Sequence, residues 1–385
     1  MRAALATPLS VGVATGAAAL VVVTLRVLVA GHGHVGRLVL VGSNFVAPGG
    51  RPGVPVTPGN GYDGQFYYRL ALDPLDFSSV FHGMHMDSAA RFERIAYPAL
   101  AWAGAGGHLG LVPWSLIAVN VLCLGVVGWL GALLARDGGK APVWGLLLPA
   151  YFGFVWSLSR DLTEIVETTF LIAALVALRR RRPAAAGVLL GAAVLSRETS
   201  LVAVGAVALV QVFGWWRFQR HRGERPALRP VTWMLPLLVF AGWQSFAGVE
   251  LGHLPLLASG QHNLGVPFAG LARGFDHYGA HLPSKDSVLW FGELAVLCFV
   301  VASATRGVLS ASVRLHERLA WAGYAMLSVC LSSGIWLGDV GFRSLDDLYA
   351  LSAVVLLVSP RTTRWVAPCM GLAWVVVAAE LVKVI

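Results

Sequence analysis

The stretch Gly61-Tyr62-Asp63-Gly64-Gln65-Phe66-Tyr67-Tyr68-Arg69 sets a carboxylate among four aromatic rings, on a polar segment of a chain that is otherwise mostly apolar. Of 385 residues, 57% are hydrophobic and 13% charged, against about 25% charged in an average soluble domain. Apolar windows of roughly 20 residues, the length that crosses a bilayer core, recur on both sides of the stretch. The fold class this implies is an all-α polytopic membrane protein, with residues 1–385 forming a single transmembrane domain.

We read eleven spans, over residues 6–30, 111–134, 141–157, 162–178, 183–197, 200–216, 231–250, 287–304, 319–336, 345–360 and 365–384. With the N-terminus cytoplasmic, every basic cluster falls inside: Arg136 and Lys140; Arg179 to Arg182; Arg217, Arg220, Arg222, Arg225 and Arg229; Arg306, Arg314 and Arg318; Arg361 and Arg364. Inner loops collect arginine and lysine in this way. The net charge of +9 is therefore a topology signal and does not indicate nucleic acid binding. The first span is too long for a signal-peptide core and contains Arg26, so it reads as an uncleaved anchor. Cys123, Cys298, Cys330 and Cys369 all fall inside spans with no CxxC spacing, as packing residues do. The bias of arginine over lysine, beside abundant Ala, Gly and Val, suggests a bacterial source and hence the cell (inner) membrane.

This topology places two long loops outside the cytoplasm, residues 31–110 and 251–286. In the first, residues 62–72 put Tyr62, Phe66 and Leu70 on one helical face, and a second pattern from Asp87 or Ser88 carries Phe92, Ile95 and Ala99. Both read as short helices lying on the membrane surface. Neither loop is long enough to bury a sizeable core of its own.

Charged residues also gather at the outer ends of spans: Arg160, Asp161, Glu164 and Glu167; Arg197 and Glu198; Asp339, Arg343, Asp346 and Asp347. The carboxylates of Asp161, Glu164 and Glu167 are spaced to share one helix face. Ionised side chains are costly in a bilayer, so such groups face a wet cavity or one another. The simplest arrangement is one polar cavity roofed by the first loop. Asp63 reads either as a helix N-cap or as a reactive carboxylate. The arginines read either as partners of neighbouring acids or as ligands for phosphate, which a guanidinium binds in a bidentate fork.

Other patterns carry less. Gly31-x-Gly33-x-x-Gly36 opens no βαβ unit. His82-x-x-His85 and His277-x-x-x-His281 are interrupted by glycine and read as loop histidines. Gly187-x-x-x-Gly191 suits close helix packing. There is no Walker A motif, HExxH or GxSxG, which argues against ATP-driven transport and metalloprotease chemistry.

Tyr62-Asp63-Gly64-Gln65-Phe66-Tyr67-Tyr68, followed by Ala71-Leu72-Asp73-Pro74 and then Arg91-x-x-Arg94-Ile95-Ala96-Tyr97-Pro98, resembles bacterial members of the GT-C superfamily of integral-membrane glycosyltransferases. The resemblance is specific over residues 60–100 and looser over the remaining spans. It implies a polyprenyl-phosphate sugar donor, a glycan or lipid acceptor in the cell envelope, and a catalytic acid in the first outer loop, matched here by Asp63. Many relatives carry a paired acidic motif soon after the first span, whereas Asp63 stands alone and further along.

The chemistry such a transfer needs is a base, a phosphate clamp and alignment. Asp63 would accept the acceptor proton, and Arg343, Arg197, Arg160 and Arg94, in that order, would hold the departing phosphate. Direct attack would invert the anomeric centre. Tyr62, Gln65, Tyr67, Asp161, Glu164 and Glu198 are candidate sugar or acceptor contacts, the acids alternatively pairing with the arginines. No cofactor is required, although an acid-rich cavity could hold a divalent ion. The rival reading is a lipid or small-solute transporter that uses the same charges as a translocation path.

Overall fold

The computed structural model describes residues 7–221, 228–258, 263–338 and 340–385. Arg222, Arg225 and Asp339 of the charged clusters above lie outside them.

The chain folds as a helical bundle. Helix α1 (Pro8–Val29) starts at Thr7, whose hydroxyl accepts from the Ser10 amide in a reciprocal capping box. The long connection after it holds α2 (Gly64–Leu72) and α3 (Ala96–Gly104), together with two two-stranded ribbons, β1 (Val41–Gly42) with β2 (Val56–Thr57) and β3 (Val80–Phe81) with β4 (Met84–His85). There follow α4 (Val112–Asp137), α5 (Gly153–Ser159), α6 (Glu164–Arg179), α7 (Pro183–Ser196), α8 (Leu201–His221) and α9 (Val231–Leu251). The second long connection carries α10 (Pro255–Ala258) and α11 (Ala269–Ala280). The chain then runs through α12 (Lys285–Val308), α13 (Leu315–Val329), α14 (Ser333–Gly338), α15 (Asp346–Val358) and α16 (Thr363–Val384).

All eleven sequence-predicted spans contain helix, but they divide into two kinds. Six segments, Pro8–Val29, Leu109–Asp137, Glu198–Arg220, Val231–Leu251, Lys285–Val308 and Pro360–Val384, are long and apolar enough to cross a bilayer. The other five are shorter or broken. Residues 141–157 become a 3-10 turn and α5, and residues 319–336 divide into α13 and α14. The 13 residues of α15 are all buried, and α6 is buried along nearly its whole length. Helices α6 and α15 thus sit at the centre, walled by protein, so their polar N-terminal turns need not meet lipid.

Close backbone approach brings the outer helices together. A Cβ on Gly12 of α1 would lie 2.8 Å from Trp129 Cβ and 2.9 Å from the Gly125 carbonyl of α4, the small-residue contact that drives helix association in lipid. Gly187 of α7 meets the Val231 carbonyl at the start of α9 in the same way.

The predicted surface placement is corrected for the first of the two loop helices, α2, whereas α3 leaves Leu100 and Trp102 exposed. Every residue of α2 is buried. Tyr67, Tyr68, Ala71 and Leu72 join Tyr97 and Ala101 of α3 and Val112 and Leu116 of α4 in a second core. The loop achieves this by sharing the heads of α4 and α6, including Leu162 and Val166, rather than by building a core alone.

The two ends of the bundle differ in chemistry. At one end, Arg179 pairs with Glu317 at 2.5 Å, Arg180 with Asp137 at 2.9 Å, and Lys140 donates to the Leu357 and Ser359 carbonyls at 2.8 Å each. At the other end, Arg26 donates to the Val384 carbonyl, and the first loop meets the segments that precede α6 and α15, through Gly64 against the Arg160 carbonyl and Asp63 on Arg343.

Candidate functional site

Asp63 stands immediately before α2, yet its side chain makes no capping bond to that helix. It is held instead by two arginines. Arg343 Nη2 donates to Oδ2 at 2.6 Å, and Arg91 Nη2 donates to Oδ1 at 2.9 Å. Arg343 also donates to Glu164 Oε1 at 3.1 Å, and Glu164 accepts from the Ser157 hydroxyl at 3.0 Å. Burial by itself would raise the Asp63 pKa, but Arg343 and Arg91 outweigh it and hold the carboxyl well below the usual carboxylate range. The Asp63 side chain keeps 20% exposure, so the cluster is reachable from solvent.

The loop is fixed by close contact. A Cβ on Gly64 would fall 2.1 Å from the Arg160 carbonyl oxygen, so the start of α2 presses directly on the chain between α5 and α6. Tyr62 lies between two guanidinium groups, with Arg160 Cζ 4.1 Å and Arg343 Cζ 5.2 Å from its ring centroid.

Arg160 also lies over the Trp156 ring, at 4.5 Å, and among the described residues it has no carboxylate partner. It lines an open cavity of ≈ 560 Å³ together with Trp156, Tyr278, Trp290, Glu380 and Lys383. Trp156 Nε1 donates to Glu380 Oε2 at 2.5 Å, and Lys383 pairs with Asp286 at 2.7 Å. His277 and His281, read from sequence as loop histidines, sit at the end of α11 and line the same cavity.

The remaining sequence-predicted residues divide. Arg94 forks onto Glu198 at 2.7 and 3.0 Å and donates to the Tyr67 hydroxyl at 3.3 Å, tying the first loop to the turn between α7 and α8. Arg197 is 4% exposed and pairs with Asp346 at 2.8 Å. Gln65 is absorbed by the loop, accepting from the Gly42 amide at 3.0 Å and donating to the Asn60 carbonyl at 2.8 Å. Tyr67 is fully buried. Asp161 is corrected in position: its φ of 51° places it before α6, off the face shared by Glu164 and Glu167, and it is fully buried. Burial pushes its pKa well above the ordinary value. Of the residues expected from sequence, Arg160 lines the cavity, while Asp63, Tyr62, Arg343, Glu164, Arg94, Glu198, Gln65, Tyr67, Asp161 and Arg197 do not. Among the described residues its wall holds none from the first loop, so the expected roofing of one polar cavity by that loop is corrected.

Sequence reasoning missed Arg91 and the cavity wall. Arg91 was visible in the Arg91-x-x-Arg94 spacing but had no assigned role. Glu293, Glu380 and Lys383 were legible as charges inside apolar windows, a pattern that marks functional positions in membrane helices.

No family model matches the chain, and no curated protein sequence matches it. A solved structure does. The crystal structure of ArnT from Cupriavidus metallidurans, bound to undecaprenyl phosphate, superposes with a TM-score of 0.50 at 14% sequence identity. The match covers 92% of this chain and 61% of that one, so the chain spans about three fifths of the neighbour's length. At this identity the likeness shows the fold alone: an all-α polytopic bundle like that of the ArnT structure.

Proposed function

We propose that this protein is a membrane glycosyltransferase that moves a sugar from a polyprenyl-phosphate donor to a glycan or lipid acceptor on the extracytoplasmic face of a bacterial inner membrane. The observation that carries the reading is the linkage of Asp63, through the Arg343–Tyr62–Arg160 stack, to a cavity whose wall contains an arginine without an acid partner. The GT-C-like fold, shared with a neighbour whose crystal structure contains undecaprenyl phosphate, agrees with it.

In this reading the donor phosphate enters the cavity and meets Arg160, with Lys383 at the rim. The sugar packs on Trp156, Trp290 and Tyr278, whose faces suit its C–H surface. The acceptor hydroxyl attacks the anomeric carbon and the bond to phosphate oxygen breaks. The bonding pair departs with the polyprenyl phosphate, and the hydroxyl proton passes to Asp63. One displacement inverts the centre.

A base works best with a pKa near the operating pH, and Asp63 paired with Arg343 and Arg91 lies far below it. Phosphate supplies the remedy. It competes with Asp63 for Arg343, and loss of that pair raises the basicity of Asp63 when the donor is present. Glu164 keeps Arg343 poised between the two positions. Arg94, Glu198, Gln65 and Tyr67 hold the first loop and do not touch substrate. These bond changes do not require a metal, because the arginines can supply the charge neutralisation.

The test is incubation of purified protein in lipid nanodiscs with a panel of polyprenyl-phosphate sugars. One donor should be consumed, with an inverted linkage in the product and turnover by D63N reduced by at least about a hundredfold. Donor-dependent movement of lipid across the bilayer without sugar transfer would replace this reading with a transporter.

A further inference from the structure

Behind the Arg343–Glu164 pair lies a second charged cluster that the transfer scheme does not use. Glu167 is three residues on from Glu164 in α6, and Asp346 is three residues on from Arg343 at the head of α15. Glu167, Asp346 and Asp347 are each 3% exposed or less, and one carboxylate oxygen from each lies within 4.8 Å of the others. Among the described residues, the ion pair to this trio comes from Arg197, 2.8 Å from Asp346. Three carboxylates thus face one guanidinium in a protein-walled interior, where uncompensated charge is costly.

Hydrogen bonds leave the cluster incomplete. The Ser200 hydroxyl serves one oxygen of Glu167, while Glu167 Oε2 and Asp347 Oδ1 are buried without a partner. An independent group points the same way. The Tyr324 hydroxyl on α13, 2% exposed, is also buried without a hydrogen-bond partner among the described residues. Tyr324 and Asp347 share the wall of a small cavity of ≈ 10 Å³ beside the cluster, which Glu167 and Asp346 do not line, about the space of one water.

We propose that Glu167, Asp346 and Asp347 bind one hard divalent cation of the Mg²⁺ or Mn²⁺ class. Glu167 Oε2 and Asp347 Oδ1 are the free carboxylate ligands, Asp346 shares its carboxylate with Arg197, and Tyr324 and water complete the oxygen shell. The ion braces the heads of α6 and α15 against each other, one turn from the residues that hold Asp63. It is a positioning site, separate from the large cavity, and it does not rest on the sugar-transfer reading.

The experiment uses the full-length protein, stripped with EDTA in nanodiscs and titrated with Mn²⁺. Free Mn²⁺ is read by electron paramagnetic resonance and stability by thermal melting. One Mn²⁺ retained per chain, with a raised melting temperature, is the expected result. E167Q and D347N should each weaken binding at least tenfold. Absence of retained Mn²⁺ at neutral pH, beyond protein-free nanodiscs, would overturn the site in favour of carboxylates that share protons; so would unchanged affinity in both variants. Should those variants misfold, Y324F removes only a hydroxyl: weakened Mn²⁺ binding supports the site and unchanged binding overturns it. Sugar transfer is not measured, so failure here leaves the proposed reaction to its own assay.

Discussion

Arg343 and Asp63, separated by 280 residues in the chain, meet at 2.6 Å. The contact joins the first loop to the head of α15, and Glu164 of α6 completes it from a third element. The Asp63 carboxylate is thus positioned by the centre of the bundle as well as by its own loop.

Replacing Asp63 by asparagine keeps the shape and removes the proton acceptor. Transfer should fall by about 10² to 10⁴-fold, while binding of a polyprenyl-phosphate sugar, measured by native mass spectrometry, persists. Transfer at the wild-type rate would remove Asp63 from the reaction.

Arg160 is the cavity's arginine without an acid partner among the described residues, and its loss should fall mainly on charge developing at the leaving phosphate. R160A is expected to lower kcat by about 10² to 10³-fold, with R160K recovering part of it. A change confined to KM would assign Arg160 to ground-state binding alone.

The paired Asp63 carboxyl also sets a pH dependence of stability. Its folded pKa lies below its unfolded value, so its contribution is complete above the unfolded value of about 4 and is lost as pH falls from there toward the folded pKa. Thermal melting of wild type and D63N should therefore differ most at neutral pH and converge on acidification. Parallel curves down to the acid limit would show that the ion pairs contribute nothing net.

Gly64 is a position where the first loop tolerates no side chain against the bundle. G64A drives a Cβ against the Arg160 carbonyl, 2.1 Å away, and should destabilise by about 1 to 3 kcal/mol. Because the shift separates Asp63 from Arg160, kcat should drop as well. Unaltered melting and turnover would mean the loop moves freely on the bundle.

Arg94 and Glu198 fasten the loop to the α7–α8 turn with 18% and 23% of their side chains exposed. A double-mutant cycle of R94A and E198A should return a coupling of about 0.5 to 3 kcal/mol in stability. Additive effects would show two independent side chains.

Sequence alone made parts of the site legible for an identifiable reason. Asp63, Tyr62 and Arg160 stood out because charges and clustered aromatics are anomalous in an apolar chain. Their partners carried no such local mark. Arg197 looked as available for phosphate as Arg160 did, yet one is buried on Asp346 and the other faces a cavity. Similarly, the amphipathic pattern of residues 62–72 looked the same whether the helix lay on lipid or was buried among α3, α4 and α6.

The apolar windows fixed a multi-helix membrane protein and the arginine clusters fixed which loops share an end, because hydropathy and charge act residue by residue along the chain. Only the tertiary structure decided which guanidinium meets which carboxylate. The pairs at Asp63 and Arg343 close over 28, 179 and 280 residues, and that at Arg197 over 149. Those distances are set by how buried helices pack, and side-chain packing leaves no periodic trace in a sequence.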